Sequence, residues 1–439
     1  METRPTLFVQ NRVQLKNIRL ALSLARRGLG QTSPNPMVGA VLVRSGKIIG
    51  RGWHRRAGLP HAEIEALRDA HKHRFSAKGA TLYVTLEPCC THGRTPPCTD
   101  AIIAAGIKRV VVGATDPNPK HSGRAFKILR RAGIEVTAPG SAGVPPASPS
   151  IRRPATRRRD AGAPKADALA NECARLNEAF NHWIVHRTPF VIVKTAMTLD
   201  GKIATATGES KWITGEAARA CGMKLRHGAD AILVGINTIL ADDPGLTARM
   251  KREEGRGKRA KPIRRIILDS QARTPLDAKI VSDQYASLTT IVVGKRAPKN
   301  RVVALAKRVN VIVAPVQKVG RVTPCAPSLE NNPRSRRARS DAPYQQIDLR
   351  WLMRKLGAEN VTSLLVEGGG EVNASFLLGG LAQRVSFFYA PKILGGRDSR
   401  KAVAGEGARS LAEAIQLRDV EWKRLGPDWL LTARVASTT

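Results

Sequence analysis

The stretch LPHAEIEALRDAH places His61 and Glu63 two residues apart, and LEPCCTHGRTPPCTD brings Cys89, Cys90 and Cys98 into one proline-rich segment. A histidine and two cysteines are three ligands for zinc, and three protein ligands leave the fourth position open, which is what separates catalytic from structural zinc. Glu63 is then a carboxylate beside the metal, suited to carry a proton from an activated water to a leaving amine, the chemistry of hydrolytic deamination. Cys89, which follows Pro88, is read as the ligand, with Cys90 as its neighbour. An accidental pattern would make His61 and Glu63 the start of a surface helix and the cysteines small apolar residues; three Cys and a His-x-Glu together tell against that.

A second group lies more than a hundred residues downstream. LLVEGGGEVNASFL reads as a strand running through glycines into a helix, so that freed backbone N–H groups can hold a phosphate and Gly368 to Gly370 allow close approach. Arg226 and Arg249 are cations near strand ends, suited to a phosphate or a polar sugar. Nothing in this group must act as a covalent catalyst.

The elements that position these residues alternate. Before residue 140 the pattern predicts a helix in NRVQLKNIRLALSLARRG, a hairpin in VGAVLVRSGKIIGRGWH, a helix in AEIEALRDAH, a strand in ATLYVTLEP, a helix in CTDAIIAAG and a strand in RVVVGATDP, then AFKILRRAG as helix and IEVTA as strand. From residue 190 a second series follows: PFVIVKTAMTLDG a strand, TGEAARACGMKLRHGA a helix, AILVGINTIL a strand and turn, and RRIILDS, TTIVVGK, NVTSLLVEGGG and VSFFYAPKIL strands. Helices on a mixed sheet, twice over, predict two α/β domains, as 439 residues would suggest.

Six cysteines, three within one ten-residue window, argue for a metal site more than a disulfide framework. No apolar run is long enough to cross a bilayer, and the first residues show no continuous apolar region with a cleavage site, so a cytoplasmic protein without membrane contact is expected. The formal charge of +38 invites a nucleic-acid reading. Two Pro/Arg-rich segments, 141–165 and 319–343, supply only part of it, and aromatics at 4% give no base-stacking pattern, so a basic background and an anionic small substrate account for the charge better. The first segment is read as a linker and the second as a tolerated insertion.

PHAEIEAL with TLEPCCTHGRTPPC resembles the deaminase domain of the bacterial riboflavin-biosynthesis bifunctional deaminase–reductase family, in which eight residues lie between the two cysteines where most nucleobase deaminases have P-C-x-x-C. SPNPMVGAVLV and GWHRRAGLPHAE extend the likeness over roughly 15–140. The resemblance implies that His61, Cys89 and Cys98 hold zinc, that Glu63 is the proton shuttle, and that Asn35, His54 and Arg94 contact substrate. Thr91 is a departure, since many relatives have His there. KTAMTLDGKIATATGESKWITGEAAR, KLRHGADAILVGINTILADDPGLTAR, RRIILDS and LLVEGGGEVNASFL resemble, in order, the family's reductase domain across roughly 188–435.

The implied fold is a cytidine-deaminase-like α/β/α sandwich followed by a dihydrofolate-reductase-like α/β domain, divided as 12–140, a linker 141–168, and 169–439. By the same resemblance Ala196, Trp212, Thr238, Asp242, Ser270 and the run Gly369, Gly370, Glu371, Val372, Asn373, Ala374 and Ser375 line an NADPH site, while Ser210, Arg226, Leu246, Arg249 and Glu367 face the substrate ribose. Gln383 and Arg384 stand where relatives usually show an acidic residue. A phosphorylated pyrimidine is the implied substrate, zinc and NADPH the implied cofactors, and a homo-oligomer paired through the reductase domain the implied assembly. The alternative is a tRNA or nucleobase zinc deaminase with an accessory domain; the cysteine spacing and the downstream cofactor motifs tell against it.

Overall fold

The computed structural model describes residues 12–92, 96–138, 165–250, 259–315 and 347–436. Arg94, most of the 141–165 segment and the 319–343 segment lie outside the described residues. The chain forms two compact units, 1–190 with 357–363, and 191–356 with 364–439. The first unit therefore runs to Phe190, later than the expected start of the second domain at 169, because the helices over 165–186 belong with the first unit.

In the first unit the strands are β1 (Gly39–Arg44), β2 (Lys47–Trp53), β3 (Thr81–Val84), β4 (Arg109–Val112) and β5 (Glu135–Thr137), in the sheet order β2-β1-β3-β4-β5. The hairpin β1–β2 and the pair β1–β3 are antiparallel, and β3–β4 and β4–β5 are parallel. The helices are α1 (Arg12–Ala25), α2 (Ala62–Lys72), α3 (Cys98–Ala104), α4 (Arg124–Arg131), α5 (Lys165–Leu176) and α6 (Glu178–His186). α1 and α5 contact each other, and α2, α3 and α4 pack in succession, giving the expected sandwich.

What brings α1 and α2 so close to the sheet is the absence of side chains between them. A Cβ at Gly39 would collide with the Ala21 carbonyl, one at Gly50 with that of Ala66, and one at Gly52 with that of Ala62. The facing helix residues Ala21, Ala25, Ala62, Ala66 and Ala70 are wholly buried. This glycine–alanine seam sets the depth at which α2, and with it His61 and Glu63, sits against β2.

The second unit holds one nine-stranded sheet in the order β13-β12-β11-β8-β14-β6-β15-β18-β17. Its strands are β6 (Phe190–Thr198), β8 (Ala231–Gly235), β11 (Arg264–Leu268), β12 (Thr289–Gly294), β13 (Asn310–Ala314), β14 (Ser363–Val366), β15 (Arg384–Ala390), β17 (Leu417–Leu425) and β18 (Asp428–Val435); the short pairs β7 (Lys202–Ala204) with β16 (Arg400–Lys401) and β9 (Ala248–Met250) with β10 (Arg259–Lys261) flank it. β8, β11, β12, β13 and β14 run parallel, whereas β15, β18 and β17 make an antiparallel margin that the periodicity did not predict beyond β15. The helices are α7 (Glu216–Gly228), α8 (Ile236–Asp242), α9 (Lys279–Ser282), α10 (Lys299–Ala306), α11 (Leu349–Ala358) and α12 (Gly370–Leu378). The turn expected at the end of AILVGINTIL is the helix α8: an extended Gly235 caps it, and Ile236 and Ile239 bury one face in a run too short for periodicity to reveal.

A fully buried charge braces this unit. Arg265 on β11 donates through Nη1 and Nη2 to both oxygens of Asp283, at 2.7 and 2.8 Å, through Nε to Thr289 Oγ1, and further to the carbonyls of Ile280 and Gly245. The Gly245 contact fixes a loop in which Asp243 and Leu246 hold the left-handed conformation. Replacing Arg265 with Leu removes the cation paired with Asp283 and the donors to Thr289 Oγ1 and the Gly245 carbonyl, and should cost about 3 kcal/mol, the lower end for a broken buried pair. The thermal midpoint of the second unit is expected to fall and that of the first to stay unchanged in calorimetry; an unshifted second midpoint refutes the bracing role.

Candidate zinc centre and cofactor crevice

In the first unit, the predicted ligands converge. His61 is the extended residue that caps α2, Cys89 follows β3, and Cys98 opens α3. The ligand atoms of His61, Cys89 and Cys98 lie within 4.8 Å of one another, the one such His/Cys/Asp/Glu cluster among the described residues. His61 Nδ1 is 3.4 Å from Cys89 Sγ and 3.3 Å from Cys98 Sγ. A tetrahedral zinc with ordinary bond lengths would set nitrogen and sulfur roughly 3.5–3.6 Å apart, so the donors fit the ion with a small adjustment. Cys90 is not in the cluster.

The electrostatics suit a cation. A hydrogen bond from Cys98 and the nearby His61 bring the Cys89 thiol down to about 4, whereas Cys98, donating to Cys89 and buried, is pushed up. The bond to Cys89 also raises His61. Glu63, in the first turn of α2 and 3% exposed, has its carboxyl pushed up to about 7 by burial. A carboxyl held near neutrality can both take and give a proton.

His54 and Asn35 stand beside this cluster, and the His54 ring meets that of His61 edge-on at 5.2 Å. The Pro60 carbonyl can only accept, so His54 Nδ1 donates to it at 3.0 Å and Nε2 accepts from Asn35 Nδ2 at 3.2 Å. Burial lowers the His54 pKa, keeping the ring neutral. Both ring nitrogens are thus engaged within the protein, which makes His54 the support that orients Asn35. Arg94 lies outside the described residues.

In the second unit, several of the predicted residues follow the carboxyl ends of parallel strands, where open α/β sheets hold ligands. Thr238 and Asp242 lie on α8 after β8, Ser270 follows β11, and Glu367 with the glycines follows β14. Ala196 is on β6, and Asp242 pairs with Lys211 at 2.8 Å next to an exposed Trp212. Ser210 lies in the segment between β7 and α7. The three glycines divide their roles: a Cβ at Gly368 would collide with Val372 and one at Gly370 with the Lys401 carbonyl, but one at Gly369, the N-cap of α12, would meet nothing. Open space at a helix N-terminus fits a cofactor phosphate. Among the following residues, Glu371 lies in the first turn, Val372 packs on Gly235 and Gly368, Ala374 is buried, and Ser375 donates to the Glu371 carbonyl. Asn373 is wholly buried, donates to the Ala402 carbonyl at 2.8 Å, and leaves Oδ1 without a partner.

Arg226, near the end of α7, grips Glu367 with two hydrogen bonds of 2.9 and 2.7 Å, and Lys194 Nζ on β6 stands 3.8 Å from the same carboxylate. The sequence reading did not single out Lys194; its place inside an otherwise apolar strand was the available signal. Leu246 is buried, and Arg249 lies on β9. Gln383 closes the ladder between β6 and β15: its Oε1 accepts from Val191 N at 2.7 Å and its own N–H donates to the Val191 carbonyl at 3.0 Å.

Comparison with known proteins agrees with this partition. Residues 12–114 match the cytidine and deoxycytidylate deaminase zinc-binding region, and residues 189–431 match the RibD C-terminal domain. The chain is 38% identical to riboflavin biosynthesis protein RibD of Actinobacillus pleuropneumoniae, covering 99% of this chain and 98% of that one, and 39% identical to that of Aquifex aeolicus over 94% and 96%. It superposes on Acinetobacter baumannii RibD with a TM-score of 0.72 at 30% identity, covering 97% and 99% of the two chains. A Thermotoga maritima protein described as a diaminohydroxyphosphoribosylaminopyrimidine deaminase/5-amino-6-(5-phosphoribosylamino)uracil reductase gives 0.70 at 32%, with the same coverage.

Burial alone would raise Glu367, but Lys194 and Arg226 more than offset it and bring the carboxyl from 4.5 to about 2. A depressed carboxyl stabilises the fold fully above its unfolded value and loses that contribution as pH falls toward the folded one. The thermal midpoint of the second unit should therefore drop between pH 4.5 and about 2. Glu367→Gln should flatten that limb; an equally steep limb in the variant assigns the acid sensitivity elsewhere.

Proposed function

The chain belongs to the RibD family and is a riboflavin-biosynthesis enzyme, a zinc-dependent deaminase followed by an NADPH-using reductase; from that premise we propose that it takes the substrates named for its Thermotoga maritima relative, deaminating diaminohydroxyphosphoribosylaminopyrimidine and then reducing the ribosyl group of 5-amino-6-(5-phosphoribosylamino)uracil to ribityl. The observation that carries this reading is the cluster of His61, Cys89 and Cys98 beside a buried carboxyl, on the same chain as an open helix N-terminus at Gly369 after a parallel strand.

His61, Cys89 and Cys98 would hold zinc, which when bound supplies Lewis-acid activation of the hydrolytic water. Glu63 takes the proton from that water and hands it to the departing amine, which leaves as ammonia. Its buried carboxyl, near 7, suits both halves of the task at neutral pH. Asn35, oriented by His54, and Arg94 hold the pyrimidine and its phosphate-bearing arm. In the second unit the open N-terminus of α12 at Gly369, with the residues through Ser375 and with Ala196, Trp212, Thr238, Asp242 and Ser270, receives the dinucleotide that supplies hydride. Ser210, Arg226, Leu246, Arg249 and Glu367 receive the ribosyl group, and the Arg226–Glu367 pair gives that end a fixed polar wall. Among the described residues no helix is long and apolar enough to cross a membrane, and a site made of reduced thiols suits the cytoplasm.

Mass spectrometry tests the two steps. Purified protein given the diaminopyrimidine should add about 1 Da to it without NADPH and about 2 Da more with NADPH. Glu63→Gln should keep its zinc and lose the first shift while still reducing deaminated substrate; a variant that deaminates fully refutes the proton-shuttle role. Absence of both shifts in the wild type refutes the substrate assignment and brings forward a tRNA deaminase.

The homo-oligomer proposed through the reductase unit is supported by its sheet edge. β17 is an outer strand exposing Val420 and Trp422, with Trp429 beside it on β18. Sedimentation should show a dimer or larger species that Trp422→Arg weakens, and a wild-type monomer at micromolar concentration rejects the assembly.

A further inference from the structure

A chain of hydrogen bonds runs from the interior of the first unit to the loop that joins the two cysteine ligands. Asp116, 5% exposed, lies in the segment after β4 and accepts from His121 Nδ1 at 2.9 Å. The opposite ring nitrogen, His121 Nε2, stands 2.8 Å from Thr91 Oγ1. Because a carboxylate can only accept, Nδ1 carries a hydrogen, and in the neutral ring Nε2 accepts from the threonine hydroxyl. The far end of this chain is rigid. Asp116 Oδ1 takes the Asn118 N–H at 2.8 Å, and buried Glu87 accepts from the backbone N–H groups of Asp116, Gly123 and Ala125 at 3.2, 2.9 and 3.1 Å.

Glu87 and Thr91 lie two residues to either side of Cys89. The ligand-bearing segment is therefore pinned on both flanks to the same stretch, 116–125: by Glu87 through backbone groups and by Thr91 through one imidazole. Between Cys89 and Cys98 there is no helix or strand among the described residues, and two prolines at 96 and 97 donate no backbone hydrogen bond. The relay is thus a side-chain anchor, among the described residues, on the segment that directly follows Cys89. It also gives the Thr91 departure a physical sense, since a hydroxyl at 91 is what His121 can grip.

We propose that His121 is a positioning residue for deamination, acting through Thr91 to hold the segment that directly follows Cys89 in the position substrate capture requires. This rests on the deaminase reading of the zinc site. It predicts a defect in substrate capture and turnover with zinc retained, since neither His121 nor Thr91 is a ligand, and it predicts that the two residues act as one unit.

The experiment uses the full-length protein and four variants: His121→Leu, Thr91→Val, the double variant, and Thr91→Ser. Zinc per chain, reductase kinetics and deaminase kcat and KM are measured for each. Loss of one well-formed hydrogen bond corresponds to about a tenfold effect. His121→Leu and Thr91→Val should each raise the deaminase KM about tenfold at wild-type zinc content and unchanged reductase kinetics, with the double variant no worse than either single one. Thr91→Ser, which keeps the hydroxyl, should behave as wild type. Deaminase constants within twofold of wild type in Thr91→Val, losses that multiply in the double variant, or zinc loss in the single variants would each overturn the proposal. If His121→Leu does not fold, Thr91→Val and Thr91→Ser decide it alone. A wild type that does not deaminate refutes instead the reading on which the proposal rests.

Discussion

The first unit depends on two backbones being allowed to touch. With no Cβ at Gly50 and Gly52 of β2 and only methyl groups on the facing side of α2, the helix settles at a depth that larger residues would forbid. His61 caps that helix and Glu63 lies in its first turn, so the seam fixes where a metal ligand and a proton carrier stand relative to the cysteine loop arriving from β3. Dense, inflexible packing of this kind holds the helix side of the site, while hydrogen bonds to Glu87 and Thr91 hold the cysteine side.

The two units treat buried charge differently. Around the zinc site, charge is left incompletely balanced: one thiol is brought down, its neighbour is pushed up, and a carboxyl is held near neutrality. Such imbalance costs stability unless a cation completes it, which is the signature of a functional centre. In the second unit, Arg226 with Glu367 and Arg265 with Asp283 form closed pairs whose donors and acceptors are mutually engaged. The first arrangement fits a cation; the second fixes a polar wall beside a strand end and a loop.

Much of this was legible in the sequence for physical reasons. Residue type and spacing revealed the zinc cluster, because few other uses bring a histidine, a buried acid and two cysteines together. Strand and helix periodicity located most elements, because apolar faces must repeat with the geometry of the element that buries them. Periodicity could not reveal α8, only two turns long, or assign the helices over 165–186 to the first unit, since their burial depends on partners distant in sequence such as Met37, which exchanges two hydrogen bonds with Asn177. Nor could it reveal that His54 has both nitrogens engaged, or that Lys194 faces Glu367. Each is a property of side-chain direction, set by tertiary contacts.

Gln383 illustrates how a departure from a family pattern can leave the mechanics intact. By accepting from Val191 N and donating to its carbonyl, this residue supplies both halves of a ladder rung, one from its side chain and one from its main chain. A carboxylate there would accept the same hydrogen strongly while ionised and more weakly, through its carbonyl oxygen, once protonated. An amide oxygen accepts at every pH and brings no charge to the junction of β6, β15 and β18, where Val435 N also donates to the Gln383 carbonyl. The exchange of acid for amide thus removes a titrating group from one joint of the sheet, in a unit where the paired carboxylate of Glu367 does titrate.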